Sequence, residues 1–359
     1  MKVVIRAGGV GARLWPMSRR DNPKQFQKVV GEQTMLTTTY ERIKDLVKPE
    51  DIFISISQAL ADKLKAELPT LPLDNLILES EARNTGPAMC LEVAWLKQFC
   101  SPDEIIASLP SDDYISNPEA FHSLLKLSHS FIKDNPDHIL TPAVRPAVVD
   151  TGYSYFKIGA NLAKLDEEAI YEVAGMAEKP NAEYCQELID SGIYYCHTGM
   201  YLWRLGYIDE LFAKLQPEMH RLCQAVVAAI RAGETDKAAE LYAGTEKMTI
   251  ESAITHRAPQ VAMSVSDRIG WSDLGKWHII KRMLSADGAN LFKGKVVANE
   301  VNNSLVYNNS GKKIIVVNDV EDLIVIDTDD ALFISSLKNS ADVKKCLDKL
   351  KEEGNEEFL

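Results

Sequence analysis

The chain has 359 residues, 46% of them hydrophobic, with a formal charge of −12. That length suits one large domain with an appendage rather than a single small one. The acidic balance argues against a nucleic-acid groove, yet it is compatible with a local basic pocket for a nucleotide. The first apolar run, Val3 to Ile5, is cut off by Arg6 and is too short for a signal-peptide core, and no stretch approaches a membrane span. Cys90, Cys100, Cys185, Cys196, Cys223 and Cys346 are scattered without a Cys-x-x-Cys pair, and the histidines lack ligand spacing. Reduced thiols in a cytoplasmic protein, with no zinc site, are expected.

In chain order, Lys2 to Ile5 reads as a strand that runs into a loop holding Gly8, Gly9 and Gly11, then Arg13 and Lys24. Closely spaced glycines leave backbone N–H groups uncovered, and a row of them makes an anion nest, so this is how a protein holds a polyphosphate. The spacing is not Walker A, since no Gly-Lys-Ser/Thr occurs, and Leu14 stands where a dinucleotide fingerprint needs a third small residue. Thr34 caps a helix carrying Leu36, Tyr40, Ile43 and Val47. Ile52–Ile56, Asn75–Leu78 and Glu104–Leu109 read as strands, with helices from Gly86-Pro87 and from Asn117-Pro118. This alternation predicts an α/β fold with a mostly parallel sheet covered on both faces, and ligands outside the carboxyl ends of its strands.

From Tyr171 the pattern is mixed. Glu172–Glu178, Tyr194–Trp203 and Val261–Val265 read as strands, with several helices between Tyr207 and His256. After Asn290 short β-rich pieces recur at Val296, Ser304–Tyr307, Ile314–Val317, Leu323–Ile326 and Ala331–Ser335, a pattern for a small coil of β-structure. A closing helix places Val343, Leu347 and Leu350 on one face, and the charged tail from Lys351 is expected to fray. The expected domains are 1–288 and 289–359.

Gly-Gly-x-Gly-x-Arg-Leu-Trp-Pro-x-Ser-Arg followed by Pro-Lys-Gln-Phe resembles the signature of the sugar nucleotidylyltransferases, and the Trp-Pro and Gln-Phe pieces resemble their mannose-1-phosphate guanylyltransferase branch. The resemblance implies a Rossmann-like nucleotidyltransferase domain with a small C-terminal left-handed β-helix-like domain. It implies a Mg2+-dependent transfer of GMP from GTP to a sugar 1-phosphate, mannose 1-phosphate first, with pyrophosphate as the other product. Such chemistry asks for charge neutralisation and positioning more than for covalent work.

Asp112 in Leu-Pro-Ser-Asp and Asp273 in Trp-Ser-Asp-Leu-Gly each follow a strand, and in the resemblance they share the metal. Arg13, Lys24 and Lys179 complete the catalytic set, with Gly8, Gly9, Gly11, Arg83, Asn84 and Thr85 on the nucleotide. Gly152, Tyr153, Glu178, Lys179, His197 and Thr198 face the sugar phosphate. The chain departs from the family pattern at Asp113, where histidine is common, at Ser154, at His197, and in the first loop at Arg6, Val10 and Ala12. Three other readings stand beside this one: a guanylyltransferase for heptose or glucose 1-phosphate, a non-catalytic regulatory homologue, and an NAD-binding oxidoreductase. No nucleic-acid or membrane partner is expected. The apolar strands after Asn290 predict a homodimer or higher oligomer.

Overall fold

Lys2–Arg6 forms the expected first strand, β1, and its Val3, Val4 and Ile5 are fully buried. The computed structural model describes every residue except Val10 and Asp166, together with all side chains but theirs and that of Ala341, so the Val10 departure lies outside the described residues. Packing groups the chain into two compact units, one of residues 1–8, 40–111 and 115–271 and a second of residues 9–39, 112–114 and 272–359.

In the first unit, β1 pairs in parallel with β2 (Ile52–Ser57) and β4 (Ile105–Pro110), and β2 with β3 (Leu76–Glu79). The chain between these strands holds α1 (Met35–Lys44), α2 (Ala61–Glu67) and α3 (Thr85–Leu96). Thr34 Oγ1 accepts from Thr37 N at 3.1 Å, which is the expected cap of α1. After the two-residue strand β5 (Tyr114–Ile115), Asn117 caps α4 (Pro118–Asp134) through Ala120 N. Then come β6 (Ile139–Val144), β7 (Ser154–Leu165), β8 (Glu168–Glu178), α5 (Ala182–Ser191), β9 (Tyr194–His197) and β10 (Tyr201–Arg204). Helices α6 (Leu205–Leu215), α7 (Pro217–Arg231) and α8 (Thr235–Ala243), a π-helical turn (Glu251–Thr255) and β11 (Val261–Val265) follow.

The strands form one sheet in the order β11-β8-β7-β9-β6-β10-β4-β1-β2-β3, with β11 also parallel to β6. The sheet is mixed α/β architecture rather than mostly parallel. Antiparallel pairings join β10 to both β4 and β6, β9 to β6 and β7, and β8 to β7 and β11. A parallel neighbour needs a long crossover, which the helical connections in the first third supply. The β7–β8 hairpin and the short turn at Gly199, φ 75°, cannot supply one, and that turn splits the single strand expected over 194–203. A core runs beneath the parallel half, from Val4, Phe53 and Ile77 through Met89, Val93, Ile106, Trp203 and Phe212.

The second unit combines the residues that follow β1 with the C-terminal third. It includes Ser272 of the short strand β12 (Trp271–Ser272), then α9 (Trp277–Leu284), β13 (Leu291–Lys293), β14 (Val296–Asn302), β15 (Leu305–Asn308), β16 (Ile315–Glu321), β17 (Leu323–Asp327), β18 (Leu332–Ser336) and α10 (Val343–Glu352). Strands β13, β15 and β17 are parallel neighbours, and β14 and β16 make a separate parallel ladder. Leu305 pairs with Ile324 and Val296 with Ile315, so the β15–β17 and β14–β16 steps share one repeat of nineteen residues. Backbone corners keep the same interval. Glu300 and Asp319, then Asn303 and Asp322, all take positive φ between 44° and 53°.

Leu14, Trp15 and Met17 share one core with Trp277, Ile280, Leu305, Tyr307, Ile324, Ile326, Phe333 and Val343. Trp277 Nε1 donates to Trp15 O at 3.1 Å, and the Trp15 and Phe333 rings meet edge to face. The tail after Lys351 does not fray. Phe358 O accepts from Trp15 Nε1 at 2.7 Å and also from Arg19. No described cysteine is in a disulfide, and no helix of the described residues is long and apolar enough to cross a membrane.

Candidate functional site

The second unit gathers one group of the expected residues. Gly9 and Gly11 open its first segment, and Gly11 takes φ 70°. Pro23 leads into a short turn over Lys24–Phe26 that buries Lys24, Gln25 and Phe26. Lys24 is only 4% exposed, and a charge so enclosed must be paired. Its ammonium donates to Asp112 Oδ2 at 2.9 Å and to the backbone carbonyl of Asp273. Three residues far apart in sequence thus meet around one cation. Arg13 is exposed, and its guanidinium has no hydrogen-bond partner among the described residues.

These residues offer oxygen donors of the kind a hard divalent metal ion takes. Magnesium takes oxygen ligands and is held by one or two carboxylates plus substrate phosphates, not by a dedicated all-protein cage. Among the described residues no cluster of three or more His, Cys, Asp or Glu is gathered as a metal cage. Asp112 and Asp273 offer oxygen donors only, and Asp112 is already arranged around a positive charge. Asp113, the departure beside Asp112, is buried.

The first unit holds the other expected residues. A Cβ on Gly8 would stand 2.9 Å from Glu79 Oε1, so a larger residue there would push the Glu79 carboxylate aside. Glu79 accepts from Tyr242 Oη at 2.8 Å, and burial raises its carboxyl above the ordinary carboxylate range. Arg83 spends its donors on Glu81 Oε1 and on the carbonyls of Ala243 and Thr245. Asn84, at φ 72°, caps α3 through Thr85 N, and Thr85 Oγ1 accepts from Ile250 N at 2.9 Å. The Arg83–Thr85 block is therefore bound into the 243–250 segment.

Gly152 N donates to Asp150 Oδ1 at 2.8 Å, and the Tyr153 ring lies 5.7 Å from that of Trp271. Lys179 N donates to Tyr153 O at 3.1 Å, which joins the ends of β7 and β8. The Lys179 side chain is 58% exposed with Nζ 3.7 Å from Glu178 Oε1, while Glu178 Oε2 is 3.0 Å from His256 Nε2. His197 closes β9 between the rings of Phe156 and Tyr201, and burial pushes its pKa down to about 4. Its buried Nε2 finds no partner among the described residues. Thr198 Oγ1 donates to Pro142 O at 2.7 Å.

Three features were not legible in the sequence. Glu79 ends a strand as many surface glutamates do. Glu251 and His256 look like ordinary members of a polar helical stretch, but Glu251 accepts from Tyr201 Oη at 2.7 Å. Arg6 donates to Ser108 Oγ at 2.6 Å and to Gly199 O, and Ser108 donates to the buried Glu92 at 2.8 Å. Burial raises the Glu92 carboxyl to about 7 against the pull of Arg6. The sequence marks Arg6 as a departure but says nothing of its partners.

Comparison with known proteins adds four findings. The family model described as nucleotidyl transferase matches residues 2–287. Mannose-1-phosphate guanylyltransferase ManC of Salmonella typhimurium is 32% identical over 367 residues, covering 99% of this chain and 74% of that protein. The mannose-1-phosphate guanylyltransferase of Escherichia coli K12 is also 32% identical, with the same shares covered. A crystal structure of a mannose-1-phosphate geranyltransferase from Thermus thermophilus superposes with a TM-score of 0.85 at 25% identity, over 98% of this chain and 99% of that one.

Proposed function

We propose that this chain, which belongs to the nucleotidyl transferase family, transfers GMP from GTP to mannose 1-phosphate, giving GDP-mannose and pyrophosphate. The observation that carries the reading is the enclosed Lys24 ammonium, held by the Asp112 carboxylate and the Asp273 carbonyl in the segment that follows the glycine loop. Relatives named for this reaction match 99% of the chain.

Each residue then has a task. The N–H groups of Gly8, Gly9 and Gly11 and the Arg13 guanidinium neutralise triphosphate oxygens. Lys24 fixes the Asp112 side chain and adds positive charge beside it. Asp112 and Asp273 would hold Mg2+, which when bound draws electron density from the α-phosphorus. Lys179, an exposed point charge, meets the sugar phosphate, and Glu178 accepts from sugar hydroxyls. Arg83, Asn84 and Thr85 form the wall at the base and ribose. Gly152, Tyr153 and Thr198 line the sugar end. The attacking phosphate oxygen is already anionic, so no general base is needed. His197, neutral near pH 7, serves as a shaped polar contact.

The two nineteen-residue ladders support reading 289–359 as a short left-handed β-helix-like domain after a catalytic domain of 1–288. Val297, Ile314, Val316, Leu332 and Ile334 are exposed on it, which supports a homodimer or higher oligomer formed through these strands.

Pyrophosphate release from a matrix of the four nucleoside triphosphates and several sugar 1-phosphates tests the reaction. GTP with mannose 1-phosphate should give the highest kcat/KM. A higher value with heptose or glucose 1-phosphate reassigns the sugar. Absence of pyrophosphate from every pair leaves the regulatory homologue as the reading.

A further inference from the structure

We infer that His256 is a positioning residue for sugar recognition. It holds the carboxylate of Glu178 through Oε2 and leaves Oε1 to accept from the hydroxyls of a sugar 1-phosphate. The inference rests on the role proposed above for Glu178.

The geometry begins with the π-helical turn. His256 N donates to Glu251 O at 2.9 Å, an i to i+5 bond that widens the helix by one residue. Such single π-turns inside helical segments are rare and recur at functional sites. This one sends two polar side chains to two different blocks of the expected sugar site. Glu251, at its start, accepts from Tyr201 Oη and lies 3.9 Å from His197 Nδ1. His256, directly after its end, places Nε2 3.0 Å from Glu178 Oε2.

Glu178 needs that support. It is the last residue of β8, its side chain is 36% exposed, and its other neighbour, Lys179 Nζ, is 3.7 Å away, beyond hydrogen-bond reach. A carboxylate at a strand end swings among rotamers unless one oxygen is held. Fixing Oε2 orients the lone pairs of Oε1 without occupying them. The pair sits on the wall of a cleft of about 610 Å³ that is also lined by Glu172, Gly175, Met176 and Gln260. Polar side chains such as Glu172 and Gln260 share that wall with apolar ones such as Met176, as suits a polyhydroxylated ring with polar edges and apolar faces.

The test measures both substrates with three variants. His256→Ala should raise KM for mannose 1-phosphate about tenfold, the loss of one charge-assisted hydrogen bond, with kcat and the KM for GTP within about twofold. His256→Gln keeps an N–H donor and should restore the sugar KM to within about threefold of the parent. Lys237→Ala, an exposed residue of α8 paired only with Glu234, should change nothing. An unchanged sugar KM in His256→Ala overturns the inference, as do equal rises for both substrates or a glutamine variant no better than alanine. Calorimetric titration with mannose, glucose and heptose 1-phosphates separates this result from the fate of the proposed reaction. A parent protein that forms no GDP-mannose refutes the reaction, while the binding titrations still decide His256. If no sugar phosphate binds with an affinity that depends on His256, the inference is wrong.

Discussion

A Cβ on Gly11 would stand 2.3 Å from Cβ of Lys24. The glycine loop is therefore packed directly on the stem of the buried lysine, and the backbone at Gly11, φ 70°, is one that only glycine adopts freely. Gly11→Ala brings both a steric overlap and a left-handed penalty of about 1–2 kcal/mol. The stem of Lys24 has to move, and its ammonium leaves Asp112. We expect kcat to fall at least about a hundredfold, two decades of lost charge positioning. Steady-state kinetics beside a thermal melt check this, since a folded variant with near-parental turnover would refute it.

Asp112→Asn and Asp273→Asn should each lower turnover by orders of magnitude in folded protein, because each removes a ligand charge from a site that works by charge. A magnesium titration after chelation should restore the parent and leave both variants far below it. Lys24 is only 4% exposed, so Asp112→Asn, which leaves its ammonium without a carboxylate, should also lower the melting temperature, and turnover is compared below that transition.

Glu92 gives a pH signature. Burial raises its folded pKa from 4.5 to about 7, so the folded state binds the proton more tightly than the unfolded chain does. Its contribution is fully present below pH 4.5 and is lost as pH rises through about 7. Glu92→Gln removes that loss. The stability of the variant relative to the parent should climb between pH 5 and pH 8, by up to about 3 kcal/mol at one pKa unit per 1.36 kcal/mol. His197, held down to about 4, works in the opposite sense and gains stability as pH rises from 4 to 6.5 in both proteins. Urea unfolding at several pH values reads the difference, and a constant gap between the two proteins would contradict it.

Removing residues 292–359 should abolish activity as well as assembly. Leu14 and Trp15, which flank the glycine loop, share their core with Leu305, Ile324, Ile326 and Phe333. Without those strands Trp15 also loses its acceptor at Phe358. A truncated protein that remained soluble and fully active would overturn this account of the loop's anchorage.

Val316→Lys tests the proposed oligomer surface. Val316 is 66% exposed and pairs in register with Val297, itself 51% exposed. A lysine there costs the folded subunit little but places a charge in any apolar contact between copies. Light scattering should show a smaller species than the parent. No change in mass would place the contact elsewhere.

Much of this protein was determined by its sequence. The β1 run, the glycine loop and the capped starts of α1 and α4 follow from local chemistry, because caps, turns and apolar periods act within a few residues. The short strands after Asn290 were legible for the same reason. Their nineteen-residue repeat was also written in the chain, as Asn299-Glu300-Val301 and Asn318-Asp319-Val320, though only the paired corners make it evident. Other features were decided by tertiary structure alone. The antiparallel half of the sheet depends on which strands a hairpin can reach. The division that places residues 9–39 with 272–359 depends on Trp15 meeting Trp277 and Phe333. Lys24 joining Asp112 and Asp273, and His256 reaching Glu178, require partners far off in sequence. No local pattern encodes such pairs, because the energy that selects them exists only once the chain has closed around them.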